Sequence, residues 1–156
     1  MCGIFGIISE NSLHRRELDV LAYHAQQRGK DSSGLYISNS ENISICRAPY
    51  SIKKLLRDVR TDNSTFLMGH SRLITNGLAD NQPIFRDSVC VIHNGIVVNH
   101  KTLWAKIKKT QKQNIDTEII AAIASKVLED EESPKNIAKV VLELCEGTVA
   151  CAIALH

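Results

Sequence analysis

The chain has 156 residues, of which 44% are hydrophobic and 23% are charged. These fractions lie near the averages for soluble globular proteins and exclude a disordered or fibrous protein. The 19 Lys and Arg residues outnumber the 17 Asp and Glu residues by two, a net charge too small to indicate binding to nucleic acid or to an acidic membrane surface. We therefore expect one domain with a small-molecule partner.

The cysteines and histidines indicate a cytoplasmic protein without a metal or another cofactor. The five cysteines are odd in number and include no C-x-x-C pair, as expected for reduced thiols. The six histidines show no zinc-ligand spacing. The apolar run at residues 2–8 has no basic flank before it and is too short for a signal peptide or a membrane span.

The first part of the chain is expected to begin with a buried strand over residues 2–8. An amphipathic helix over residues 13–27 follows, with Gly29 as its C-terminal cap. Residues 35–38 and 43–46 flank a polar turn and predict a hairpin. The chain therefore starts inside the fold.

Helices and strands continue to the end of the chain. Ser51 is expected to cap a short helix. Further strands are predicted over residues 65–68, 89–92 and 148–155. Further helices are predicted from Asn99 through Ile107, over residues 119–128, and from Ser133 to Gly147.

Grouped strands and grouped helices favour an α+β layered fold over a βαβ parallel sheet. A buried strand that stops at His156 needs a neighbouring strand on its far side. We therefore expect residues 1–156 to form one domain that is a fragment of a longer domain or protein.

Cys2 is a candidate nucleophile, because removal of Met1 would leave one residue with both a thiol and a free α-amine. An α-amine has a pKa of about 7.7–8.0, so at neutral pH much of it can accept the thiol proton, directly or through water. No histidine base is then required. The alternative is that Met-Cys is an accidental start, and a single cysteine does not decide between the two.

Asn94 and Gly95 lie between two apolar segments and allow two interpretations. Asn-Gly is the strongest short-range signal for a two-residue hairpin turn. The functional alternative is an oxyanion hole, in which the Asn94 amide and the Gly95 N–H stabilise a tetrahedral intermediate.

Two charged residues could bind an amino acid. Arg72 follows a predicted strand, and its planar guanidinium suits a free α-carboxylate, although an ordinary structural arginine is equally compatible. Asp116 could pair with an α-ammonium group, but it also precedes a predicted helix, where N-capping is the commoner role.

Taken together, these segments resemble the glutaminase domain of class II (N-terminal nucleophile) glutamine amidotransferases. The resemblance rests on the order and spacing of six segments. They are Met1-Cys2-Gly3-Ile4-Phe5-Gly6, Arg28-Gly29-Lys30-Asp31-Ser32-Ser33-Gly34, Gly69-His70-Ser71-Arg72, Asn81-Gln82-Pro83, His93-Asn94-Gly95-Ile96 and Asp116-Thr117-Glu118.

The resemblance implies a role for each matching residue. Cys2 attacks the side-chain amide of glutamine, and Asn94 and Gly95 stabilise the oxyanion. Arg72 binds the α-carboxylate of glutamine, and Asp116 binds its α-ammonium group. The products are glutamate and ammonia.

The same resemblance implies a four-layer αββα sandwich. Thr75 is expected to line the substrate pocket, while Arg28, Asp31 and His70 support the site structurally. The ammonia is delivered to a synthase domain or subunit, which this chain lacks, and a homo-oligomer is compatible with the family.

Details of the motifs point to more than one branch of the family. Residues 93–99 and 116–120 favour the glucosamine-6-phosphate synthase branch, in which the acceptor is a sugar phosphate, whereas Leu73 is more like asparagine synthetase. Two other functions stay open. One is an N-terminal-nucleophile amidase for another amide, and the other is a non-catalytic module or a precursor in which retained Met1 acylates the required amine.

Overall fold

The computed structural model describes residues 2–73 and 81–156. The chain divides into two compact units, the first ending at Pro83 and the second beginning at Ile84. Each unit has its own antiparallel sheet, its own helices and its own hydrophobic core. The α+β prediction is confirmed.

The first unit contains a four-stranded sheet in the order β1-β4-β2-β3, with every neighbouring pair antiparallel. The strands are β1 (Gly3–Ile8), β2 (Ser32–Ser38), β3 (Ile43–Ala48) and β4 (Phe66–Arg72). The predicted hairpin is β2–β3. Its turn is closed by the Asn39 side chain, whose Oδ1 accepts N–H bonds from Glu41 at 3.0 Å and Asn42 at 2.8 Å.

Helices α1 (Arg15–Gln26) and α2 (Ile52–Asp58) complete the first unit. As the helical periodicity predicts, Leu18, Ala22 and Ala25 are buried on one side of α1. They pack with apolar residues of α2 and of the sheet. Burying one large aliphatic side chain stabilises a fold by about 1.5–3 kcal/mol, so this stripe fixes α1 on the sheet.

The second unit contains a three-stranded antiparallel sheet in the order β5-β6-β7. Its strands are β5 (Ile84–Arg86), β6 (Val89–Val97) and β7 (Gly147–Leu155). The hairpin interpretation of Asn94 and Gly95 is wrong, because β6 runs straight through both residues and pairs with β7 along its whole length. Long-range pairing therefore overrides the local turn preference of Asn-Gly.

Three helices complete the second unit: α3 (His100–Ile107), α4 (Thr117–Glu129) and α5 (Ile137–Leu144). Helix α4 is buried almost all round, from Thr117 to Ser125 and again at Val127. The predicted last helix is split, because a short 3-10 turn over Pro134–Asn136 precedes α5 and the helix ends before Gly147. Gly147 instead begins β7.

Several predicted caps are wrong. Ser51 and Asn99 occupy N-cap positions, but neither side chain makes a capping hydrogen bond. The Asn99 side chain instead donates to the Leu144 carbonyl at 2.9 Å and accepts from the Glu146 N–H at 3.0 Å, which holds the chain entering β7. Gly29 does not cap α1, which ends at Gln26.

A buried ion pair joins β5 to the start of α4 and to the segment that precedes α4. The Arg86 guanidinium lies 2.8 Å from Glu118, and their side chains are 6% and 1% exposed. Arg86 also donates to the Thr110 carbonyl at 2.9 Å, while Glu118 accepts the N–H bonds of Lys112 and Gln113. Charge and hydrogen bonds together satisfy both buried groups.

Within residues 2–73 and 81–156, no helix is long and apolar enough to cross a membrane.

Candidate active site

Cys2 lies directly before β1 and is half-buried. Its backbone carbonyl accepts a hydrogen bond from Arg28 Nε at 3.0 Å. The next residue, Gly3, lies so close to α1 that an added Cβ would be 2.2 Å from the Ala25 carbonyl oxygen. Cys2 and Gly3 are therefore fixed against the C-terminal end of α1 and the residues that follow it.

The segment that follows α1 also holds the end of β4. The Asp31 N–H donates to the Arg72 carbonyl at 2.9 Å, and the Ser71 hydroxyl donates to the Gly29 carbonyl at 2.7 Å. A Cβ on Gly29 would lie 2.3 Å from the Arg72 carbonyl carbon. Gly29 is thus required for this close approach rather than for a helix cap.

Cys2 and Arg72 lie at the same end of the neighbouring strands β1 and β4. Gly3 is opposite Ser71 in the β1–β4 register, so Cys2 and Arg72 each lie one residue beyond that pair. Arg72 is half-buried, and its guanidinium forms no hydrogen bond or ion pair with any other residue of the described ranges. Its planar N–H groups can therefore donate hydrogen bonds to a carboxylate.

His70 lies within β4, two residues before Arg72, rather than at the end of the strand. It is fully buried on β4, opposite Ile4 of β1 and Gly34 of β2. This location fits the predicted structural support and not direct contact with a substrate.

The Asn81-Gln82-Pro83 motif has a structural role that its sequence alone did not indicate. Asn81 Nδ2 donates to the Ser33 carbonyl at 2.8 Å and to the Ala48 carbonyl at 3.2 Å. An added Cβ on Gly34 would lie 1.9 Å from the Gln82 carbonyl oxygen. The motif therefore joins β2 and β3 and explains the glycine that ends the Arg28–Gly34 segment.

Asn94 and Gly95 lie in the second unit, within β6, opposite Ala150 and Val149 of β7. Asn94 is half-buried and Gly95 is exposed. A Cβ on Gly95 would lie 1.8 Å from the Thr148 carbonyl oxygen and 2.7 Å from His93 Nε2. No other residue fits at this position without displacing the strand.

Asp116 precedes α4, but the capping interpretation of its side chain is wrong. Its backbone is already helical, with φ −63° and ψ −29°, whereas a capping residue has an extended backbone. The carboxylate instead accepts the Val97 N–H at 2.8 Å. Asp116 therefore links the start of α4 to β6, two residues beyond Gly95.

Thr75 lies outside the described residues. Among those that are described, no group of three or more His, Cys, Asp or Glu side chains could hold a metal ion. A cavity of about 710 Å³ on α1 and α2 is lined by Arg15, Tyr23 and Lys53 among others, and by none of the predicted site residues.

All five cysteines are free thiols. Burial raises the pKa of Cys145 to about 11, with further contributions from Cys151 and Asp116. Burial also raises the pKa of Cys151. Both thiols therefore remain protonated and poorly nucleophilic at neutral pH.

Comparison with solved structures identifies the fold. The glutamine phosphoribosylpyrophosphate amidotransferase from B. subtilis superposes with a TM-score of 0.78 over 99% of this chain and 35% of its own, at 22% identity. An allosteric regulatory enzyme of purine biosynthesis superposes with a TM-score of 0.79 over 98% of this chain and 35% of its own, at 21% identity. The chain thus has the fold of class II amidotransferases, with two sheets and flanking helices, as the sequence predicted.

The sequence comparisons place the chain within a family. Residues 70–154, more than half of the chain, match the glutamine amidotransferase domain. The chain therefore belongs to the glutamine amidotransferase domain family, and the predicted resemblance is confirmed.

Two curated relatives are glutamine–fructose-6-phosphate aminotransferases. The protein of Zymomonas mobilis is 30% identical over 98% of this chain and 26% of its own length. That of Wigglesworthia glossinidia brevipalpis is 32% identical over 78% of this chain and 21% of its own length. The chain thus spans about a quarter of the length of these relatives.

Proposed function

We propose that this chain hydrolyses the side-chain amide of glutamine to glutamate and ammonia, with Cys2 as the nucleophile after Met1 is removed. Membership of the glutamine amidotransferase domain family is the observation that carries this proposal. The local geometry in each unit adds support for the individual roles.

In the proposed reaction, the α-amine of Cys2 takes the thiol proton, directly or through water, and the thiolate attacks the amide carbon. Collapse of the tetrahedral intermediate returns a proton to the leaving nitrogen and releases ammonia, which leaves a glutamyl thioester. Water then hydrolyses the thioester to glutamate and restores the thiol. The Arg28–Cys2 hydrogen bond supports this assignment, because it fixes the backbone of the proposed nucleophile by its carbonyl oxygen.

Asn94 and Gly95 are proposed to donate hydrogen bonds to the oxyanion of the intermediate. Their placement within a paired strand supports this role, since preorganised donors stabilise developing charge without reorganising during the reaction. Loss of one such donor lowers the rate by roughly 10²–10³-fold.

Arg72 and Asp116 are proposed to bind the α-carboxylate and the α-ammonium group of glutamine, and Thr75 is proposed to line the substrate pocket. Arg28, Asp31 and His70 are proposed to support the site. A substrate without a free α-carboxylate and a free α-ammonium group would leave the charges of Arg72 and Asp116 without substrate partners. This argument disfavours an amidase that acts on another amide.

The acceptor of the ammonia is proposed to be a sugar phosphate. The relatives are named glutamine–fructose-6-phosphate aminotransferases, which supports this choice. Because the chain spans about a quarter of those relatives, transfer would use a synthase domain or subunit outside these 156 residues.

The first test is the intact mass of the purified chain before and after incubation with 6-diazo-5-oxo-norleucine, a glutamine analogue that alkylates an activated nucleophile. We expect a starting mass that lacks methionine and a single adduct on Cys2. The half-buried thiols of Cys145 and Cys151 provide internal controls, because their raised pKa values keep them protonated and poorly reactive. No adduct on a chain without Met1 would contradict the proposal and favour the non-catalytic alternative.

Replacing Arg72 with alanine is expected to raise the KM for glutamine by about 10- to 100-fold, because a hydrogen bond to a charged group contributes about 1.5–3 kcal/mol. Arg72→Lys should give a smaller rise, since it retains the charge but not the planar pair of donors. Steady-state glutamate production measures both effects. Arg60→Ala, the same change at an exposed residue of the first unit, is the matched control, and an equal effect there would rule out a specific role for Arg72.

A further inference from the structure

We propose that His93 is a positioning residue that holds the Asn94–Gly95 segment in place and links it to the start of α4 through Thr117. This inference rests on the proposed function, in which Asn94 and Gly95 stabilise the oxyanion and Asp116 binds the substrate ammonium group. It assigns a further role to a buried residue whose side chain those steps do not use.

The His93 ring connects three elements of the second unit. It extends from β6 and is only 2% exposed. Its Nε2 lies 3.1 Å from the Thr148 carbonyl oxygen of β7, and its Nδ1 lies 3.4 Å from the Thr117 hydroxyl at the first residue of α4. Because a carbonyl only accepts, Nε2 carries the proton and Nδ1 accepts from Thr117.

The position of Gly95 depends on the contact between His93 and the Thr148 carbonyl. His93 and Gly95 are two residues apart on a strand and therefore lie on the same face of the sheet. A Cβ on Gly95 would meet both the Thr148 carbonyl and His93 Nε2, so the ring and that carbonyl define the space beside the glycine. Moving the ring would let β6 shift at the donors proposed for the oxyanion.

A second hydrogen bond also connects the start of α4 to β6. Asp116 accepts the Val97 N–H of β6 at 2.8 Å, while its neighbour Thr117 contacts His93. Asp116, directly before α4, and Thr117, its first residue, thus bind β6 on either side of Asn94 and Gly95. The hydrogen bonds of His93 therefore position the oxyanion donors relative to the start of α4.

The test compares variants of Thr117 and His93 that remove their hydrogen-bonding groups with variants that retain such groups. Thr117→Val removes the hydroxyl, and Thr117→Ser retains it as the matched control. His93→Phe removes both ring bonds, and His93→Gln retains a donor and an acceptor. The kcat and KM for glutamine, the rate of Cys2 alkylation by iodoacetamide, and the melting temperature are measured for each.

We expect Thr117→Val to lower kcat by about 3- to 10-fold, the loss of one ordinary hydrogen bond, while Thr117→Ser remains within about twofold of the wild type. His93→Phe should lower kcat by roughly 10- to 100-fold, and His93→Gln should recover part of that loss. The rate of Cys2 alkylation should be unchanged, and KM should change by less than kcat.

A purely structural role would instead lower the melting temperature and the fraction of alkylatable Cys2, with kcat per labelled site unchanged. That result would overturn the inference, as would equal effects of valine and serine at position 117. A wild type that cannot hydrolyse glutamine would contradict the proposed function itself, whereas an active wild type with unaffected variants would contradict only the role of His93.

Discussion

Replacing Cys2 with alanine is expected to lower glutamine hydrolysis by at least about a thousandfold, because removal of a nucleophile eliminates the covalent pathway. The α-amine, the proposed oxyanion donors and the charged residues proposed to bind glutamine all remain in the variant. Glutamine should therefore still bind, and isothermal titration should detect it. Glutamate formation and the adduct with 6-diazo-5-oxo-norleucine should both disappear.

The matched control is Cys46→Ala, which removes a half-buried thiol from β3 of the same unit. Its turnover should remain within about twofold of the wild type, since a thiol outside the proposed chemistry contributes nothing to the covalent steps. Cys2→Ser adds a chemical control, because serine is also small enough for Met1 to be removed. Continued turnover by Cys2→Ala would eliminate Cys2 as the nucleophile, whatever the fold of the chain.

Replacing Glu118 with alanine is expected to lower the free energy of unfolding by about 3–5 kcal/mol, because it removes the buried partner of the Arg86 charge and leaves only the more exposed Asp87 to pair with it. The Lys112 and Gln113 N–H groups lose their acceptor at the same time. This expected loss is a large part of the free energy of unfolding of a typical domain, which is about 5–15 kcal/mol. Urea unfolding followed by circular dichroism measures the change.

Glu129→Ala is the matched control, since Glu129 also pairs with a lysine, Lys109, at 2.6 Å, but its side chain is 53% exposed. Water already solvates that carboxylate, so its loss should cost less than about 1 kcal/mol. Glu118→Gln should be intermediate, because an amide oxygen still accepts hydrogen bonds but carries no charge. Equal costs for the two alanine variants would show that burial does not strengthen the Arg86–Glu118 pair.

Local patterns predicted most of the fold. The stripe of Leu18, Ala22 and Ala25 and the apolar run of β7 are repeated signals within one segment, so the sequence suffices to identify the element. The three-residue strand β5 was missed, because so short a segment has no periodicity. Its existence depends on pairing with β6 and not on its own residues.

The errors at the candidate site have one physical cause. Asn-Gly favours a turn locally, yet Gly95 pairs with Val149, which lies 54 positions later in the chain. Asp116 occupies a capping position, yet its carboxylate binds Val97 on another element. Sequence rules describe neighbours along the chain, whereas these side chains are fixed by partners that only the folded structure brings near.

The motifs predicted candidate site residues but not the contacts that hold them. The Arg28–Cys2 bond and the buried Arg86–Glu118 pair span 26 and 32 positions, and nothing in the intervening sequence indicates either contact. Glu118 stood within the Asp116-Thr117-Glu118 motif, but its role in stability became visible only from its burial and its acceptor bonds.

Arg28 holds Cys2 by its carbonyl oxygen, a contact that does not require the removal of Met1. Its contact is with the carbonyl of Cys2, and the close packing of Gly3 lies one residue further on, so neither uses the α-amine. A polypeptide that keeps a purification tag ahead of Cys2 retains both contacts and is expected to fold, and on the proposed mechanism it is inert because its amine is acylated. Circular dichroism or thermal melting would not distinguish it from the processed chain, and quality control during production should instead rely on N-terminal sequencing or on amine-selective labelling.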